Sequence, residues 1–278
     1  MKRSILFKTA SLVAISLIFS STSFSEELKV VVVEPINPEV RYPTEVIARP
    51  SVMPTGIFGT YLDASVDKLR TLNFGIRTEF GLVKKLEGRF SWDGFDVDTK
   101  ATKDKLSINR TVNLGLKYNY LSIPHVSFSG TLNVPLHIFS GEILKKFTLG
   151  LPVVFYNDVM AGGIFGDLFT LTMRDQIAAR FDFKWWYGLQ IYGNLWADIS
   201  SSFGHVQLQS KKNIGKLESK GFWQELPLTL TVIYAFNNYF DLGANAGFKN
   251  VINTKDVKAK DTFNFGLTFT ARAGRIFG

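Results

Sequence analysis

The sequence predicts an all-β fold: a transmembrane antiparallel up-and-down β-barrel of about twelve strands. Three observations carry this reading. Apolar and polar residues alternate with period two in segment after segment from residue 56 onward, most of these segments are 11 to 16 residues long, and short and long connections alternate between them. A strand needs about 9–11 residues to cross a bilayer, whereas strands of soluble proteins cluster near 5–6. Length therefore separates a membrane wall from a soluble sandwich here. No segment approaches the roughly 18 uninterrupted apolar residues of a spanning helix, so strands are the crossing elements.

The chain opens with a leader. Lys2 and Arg3 precede the apolar run Leu12–Phe19, and Ser23-Phe24-Ser25 puts small side chains at −3 and −1 before Glu26. This pattern predicts a secretory signal peptide over residues 1–25. Its removal takes Lys2, Arg3 and Lys8 with it and lowers the net charge from +8 to +5. Residues 26–54 then hold five of the nine prolines: Pro35, Pro38, Pro43, Pro50 and Pro54. Proline has no N–H for a ladder, which leaves only Leu28–Val33 able to pair. The segment reads as a Pro-rich periplasmic N-terminal tail, and its position makes it a candidate plug for a lumen.

The barrel occupies residues 55–278. Over Thr71–Leu82, Leu72, Phe74, Ile76, Phe80 and Leu82 share one parity, and Asn73, Gly75, Arg77, Glu79 and Gly81 share the other. That is a strand with one apolar and one polar face. The same stripe predicts strands near 56–66, 71–83, 85–96, 107–121, 123–138, 145–157, 163–173, 176–186, 188–200, 222–236, 239–249 and 262–273. Between 157 and 190, Asp167 and the run Trp185-Trp186-Tyr187 blur the parity. Short turns are expected at Val83-Lys84, Leu121-Ser122, Trp186-Tyr187 and Asn237-Asn238, and long loops at Val97–Leu106, Ser201–Gly221 and Asn250–Asp261, on the opposite side. The 157–163 connection reads as longer than a tight turn. Tyr118, Tyr120, Tyr156, Trp185, Trp186, Tyr187, Tyr234 and Tyr239 collect at the short-turn ends, with Trp92 and Trp223 near the other, as two interfacial aromatic girdles would require.

With these stripes, girdles and leader in place, the chain resembles the outer-membrane β-barrel proteins of Gram-negative bacteria over residues 56–277. The resemblance implies residence in the cell outer membrane, contact with outer-membrane lipid and lipopolysaccharide, and insertion by the barrel-assembly machinery. The last stripe of Phe263, Phe265, Leu267 and Phe269 fits the family, while Arg275 and a Phe277 followed by Gly278 depart from its usual terminal aromatic.

The three long loops together carry +5, with Lys211, Lys212, Lys216 and Lys220 in the middle one. Such loops suit lipopolysaccharide phosphates and equally suit plain solvated surface. The polar parity assigns lumen-lining cations at Arg77, Arg89, Lys117, Arg180, Lys184 and Arg272. Its lumen-lining carboxylates are Glu79, Glu87, Asp93, Asp182, Asp198 and Asp241. No catalytic chemistry is expected. There is no Cys, and His125, His137 and His205 lie in no metal-ligand spacing. The Ser200–Ser202 run near His205 is read as an ordinary Ser-rich loop. No metal or cofactor is expected, and nucleic acid is excluded because export removes the target and no aromatic platform interleaves the lysines. The leading expectation is a monomeric passive pore or transport channel for small solutes with a charged lumen. The alternatives are a non-conducting structural or surface-interaction barrel acting through Lys-rich extracellular loops, and a soluble periplasmic barrel.

Overall fold

The computed structural model describes residues 42–68, 70–101, 105–138, 146–173, 177–210, 226–252 and 262–274. The loop lysines 211, 212, 216 and 220, the Leu28–Val33 pairing segment and the chain end therefore lie outside the described residues. The wall begins with β1 (Ile57–Asp67), β2 (Thr71–Val83), β3 (Leu86–Asp98), β4 (Leu106–Ile108) and β5 (Thr111–Ile123). It continues with β6 (Val126–His137), β7 (Lys146–Gly150), β8 (Val153–Tyr156), β9 (Met160–Ile164) and β10 (Phe169–Met173). It ends with β11 (Ile177–Tyr192), β12 (Leu195–Ser210), β13 (Leu228–Ala235), β14 (Phe240–Phe248) and β15 (Phe263–Gly274). Three pairs act as single wall strands, β4 with β5, β7 with β8 and β9 with β10, so the wall has twelve.

All pairings between these strands are antiparallel, and the ring closes where β1 meets β15 from Ile57↔Gly274 to Asp67↔Asn264. Closure is what a bilayer demands, because an open edge would leave N–H and C=O groups without partners in hydrocarbon. Burial is inverted relative to a soluble protein. Leu62, Leu114, Leu116, Leu230 and Leu267 are exposed on the outer face, while Glu87, Ser127, Ser129, Asp241 and Arg272 are buried on the inner one. The alternation read from the sequence is thus lipid against lumen.

Turn chemistry corrects several strand ends. The turn after β5 falls at Pro124-His125, with His125 in the left-handed region at φ 66°, and not at Leu121-Ser122. A bulge between Asn119 and Leu121 switches the parity, so Leu121 and Ile123 still face outward. The 157–163 connection is in fact tight. Asn157 Oδ1 accepts the N–H groups of Val159 and Met160 at 2.9 and 2.8 Å, which turns the chain in three residues. Strand β11 runs through Trp185-Trp186-Tyr187 to Tyr192 and turns at Gly193-Asn194, so the expected turn at 186–187 is wrong. Strand β12 then extends to Ser210, taking Ser200–Ser202 and His205 out of a loop and into the wall.

One break is shared by two neighbouring wall strands. Leu151-Pro152 interrupts β7/β8 and Phe165–Leu168 interrupts β9/β10. A Cβ added to Gly150 would sit 1.6 Å from the Gly166 carbonyl oxygen, whereas one on Gly166 meets nothing within 4 Å. Gly150→Ala is therefore expected to destabilise the barrel by about 1–3 kcal/mol. Gly166→Ala should stay within about 0.5 kcal/mol. Leu114→Arg, on the outer face at mid-strand, should cost about 2–4 kcal/mol. Urea titration of refolding into lipid vesicles measures all three.

Candidate functional site: the lumen

The inner parity brings the wall's charges together, and a segment of the tail joins them. Residues 42–54 lie inside the short-turn end and bond to wall residues around most of the circumference. Lys117 Nζ donates to the Ser51 carbonyl. Asn119 Nδ2 donates to Ser51 Oγ at 2.6 Å and to Ser127 Oγ at 2.9 Å. On the opposite wall the Ile47 N–H donates to Gln190 Oε1 at 3.1 Å, and Thr44 Oγ1 donates to Asn238 Oδ1 at 2.7 Å. Val52 and Met53 are buried within the barrel.

The strongest attachment is electrostatic. Arg49 grips Asp241 with both guanidinium nitrogens, each at 2.8 Å, and Arg272 donates to the same carboxylate. The Tyr42 ring lies 5.5 Å from the Arg49 guanidinium carbon and 4.6 Å from that of Arg272, within cation–π range. Burial pushes the Tyr42 phenol above its ordinary value against the pull of Arg272 and Arg49, so the ring stays neutral beside them. Side-chain exposures of 10% or less at Arg49, Asp241 and Arg272 make this a largely desolvated triad.

A second ladder runs along β2 and β3. Arg77 stacks over Tyr61 at 4.3 Å, and the Tyr61 hydroxyl donates to Glu79 at 2.9 Å. Arg89 bonds Glu87 at 2.5 Å and lies 3.7 Å from Glu79. Glu87 also accepts the Met53 N–H at 2.7 Å, which ties this ladder to the tail segment. Arg180 pairs with Asp182 at 2.8 Å, and Lys184 with Asp167 at 3.4 Å. Asp198 accepts from Trp196 Nε1 at 2.9 Å. Asp93 stands apart from the other sequence-assigned residues. It lies at a bulge with Gly94 (φ 58°), is exposed, and is approached by Asn109 Nδ2 at 3.4 Å. The bulge takes up one residue of the alternation between Trp92 and Phe95.

Three cavities adjoin along the lumen. The first, about 1160 Å³, lies beside the tail segment and shares Arg89, Lys117, Val154 and Trp186 with a second of about 430 Å³. The third, about 260 Å³, shares Arg89 and Asp167 with the second. Trp186 belongs to this inner lining and packs edge-on against Trp196 at 6.4 Å, so its expected place in the outer girdle is corrected. The gripping residues Tyr42, Arg49 and Ser51 were not among the sequence-assigned set. Their only trace was an arginine and a tyrosine within a proline-rich tail. His125 bonds the Tyr156 carbonyl at a turn at 3.1 Å, and Ser201 donates to the Pro227 carbonyl at 2.5 Å.

No protein-family model matches the chain, and no match emerges from the curated proteins. Solved structures match in fold. The chain is similar to the KdgM porin at a TM-score of 0.51, with 5% identity over 77% of this chain and 98% of that one. It is also similar to the NanC porin at 0.48, with 5% identity over 79% and 100%. A third likeness, to an outer membrane channel from Pseudomonas putida F1, has a TM-score of 0.43 and 10% identity over 86% and 100%. At such identities the likeness is one of fold, and the fold is that of the outer-membrane β-barrels.

The triad supports a contrast. Asp241→Asn leaves two buried guanidiniums without their counter-charge and should cost about 3–5 kcal/mol, read as an earlier heat-induced shift of the folded band on a gel. Arg49→Met keeps the Asp241–Arg272 pair. It should leave that shift unchanged while speeding proteolysis within residues 42–54.

Proposed function

We propose that the chain is a non-catalytic, passive pore for small solutes in the outer membrane, reached by export through the leader at residues 1–25. The observation that carries this reading is the series of three adjoining cavities from the short-turn mouth past Arg89 to Asp167. A barrel of this size has room for a narrow path where an eight-stranded one is filled by its side chains. The path is charged throughout its length, and charged rings along a pore are what discriminate among permeating ions. In the same reading the apolar outer band contacts outer-membrane lipid, the loop lysines meet lipopolysaccharide phosphates, and insertion uses the barrel-assembly machinery.

The second reading, a non-conducting barrel acting through its loops, is favoured by one feature. The bonds from Ser51, Met53, Ile47 and Arg49 tie the tail segment across the mouth. Planar-bilayer recording of the full mature chain separates the two. The pore reading expects discrete conductance steps, with larger or more frequent steps from Arg49→Met because the segment then loses its ion pair to the wall. Silence from both proteins, each folded and heat-modifiable, would favour the closed barrel.

A further inference from the structure

The paired break in the wall is built to turn inward. Pro152 removes one ladder donor, and Phe165 takes the left-handed region at φ 61°, which a bulky side chain rarely adopts. The backbone stays stitched around the break. Leu151 N–H reaches the Phe165 carbonyl at 3.0 Å and Ser129 N–H the Pro152 carbonyl at 3.0 Å. Asp182 N–H likewise reaches the Leu168 carbonyl at 2.9 Å. Pro152, Gly166 and Asp167 of the break line the second cavity, so its extra length reaches the lumen side. Thr131, a buried inner-face residue, approaches the Gly166 carbonyl through Oγ1 at 3.5 Å, and Asp167 lines both the second and the third cavity.

We infer that this in-turned segment is the selectivity element of the pore and that Asp167 is its specificity-determining carboxylate, an inference that rests on the pore reading. Among the described residues Asp167 is the sole carboxylate lining those two cavities, where it faces Arg77, Arg89, Lys117 and Lys184. Other lumen carboxylates are taken. Glu87 is held by Arg89 and the Met53 N–H, and Asp241 by two guanidiniums. The Asp167–Lys184 contact is different, because its partners are 47% and 51% exposed and 3.4 Å apart. A pair that open to water binds weakly, so both charges remain available to a passing ion. Asp167 thus offsets a cationic stretch where the second and third cavities adjoin. Its removal leaves that stretch uniformly basic and favours anions.

The test is the reversal potential of the full mature chain in a planar bilayer under a KCl gradient, for the native protein and for Asp167→Asn, Asp167→Lys and Asp182→Asn. Asp182 is bound by Arg180 and lines neither cavity, so it serves as the comparison. The expected result is a several-fold rise in chloride-over-potassium permeability for Asp167→Asn, a larger rise for Asp167→Lys, and little change for Asp182→Asn. Steps with an unaltered ratio in both Asp167 variants would overturn the inference while leaving the pore reading intact. So would an equal rise from Asp182→Asn. Absence of steps from every folded protein would overturn the pore reading and this inference together.

Discussion

Everything in this structure depends on one constraint: in hydrocarbon, each backbone N–H and C=O must find its partner within the wall. The eleven-residue zipper between the first and last strands meets it by abolishing the sheet edge. Once the ring is closed, the side chains have only two destinations, lipid or lumen. The inversion of burial follows directly. Leu267 and Phe269 point outward, while their neighbour Thr270, with Arg272 beyond it, is buried. Among the described residues no large side chain is fully buried in an apolar core, so the polar interior has to hold itself together.

It does so by pairing charges in a place where water is scarce. Opposite charges attract more strongly there than at an exposed surface, and an unpaired one is correspondingly costly. The Arg49–Asp241–Arg272 triad and the Glu79–Arg89–Glu87 ladder satisfy that demand, and both draw on the tail segment. Residues 42–54 are therefore part of the lumen's electrostatic completion as well as an obstruction at its mouth. Asp167, the sole carboxylate among the described residues lining the second and third cavities, is by contrast only loosely paired. Function as a pore would depend on that contrast, with locked charges near the mouth and available charges deeper in.

The wall tolerates its own irregularities by the same rule. Bulges at Asn119/Leu121 and at Gly94 and the double break at 151–152 and 165–168 each displace residues without stranding backbone groups. They also explain where parity reading slips. A bulge consumes one residue of the alternation, and beyond the one at Asn119/Leu121 the turn expected at Leu121-Ser122 falls at Pro124-His125. The Trp185-Trp186-Tyr187 run has no apolar–polar contrast, because an aromatic inside the barrel and an aromatic in lipid look alike in sequence. The turn was therefore expected seven residues before Gly193-Asn194, where it occurs.

The sequence by itself determined the class of fold, the number of wall strands and the face of nearly every residue on β1–β6 and β13–β15. It could do so because each strand meets two different solvents, and period two is a local property readable from adjacent residues. Parity also groups the wall's charges on one face, and Arg77, Glu79, Glu87, Arg89, Lys117 and Lys184 of that face line the cavities. Only the tertiary structure decided that the proline-rich tail enters the barrel, that Trp186 turns inward to Trp196, and that Asp167 leaves the wall for the lumen. Arg49 and Asp241 are 192 residues apart in the chain. A contact made across a closed lumen depends on which walls face one another, and no local periodicity records that.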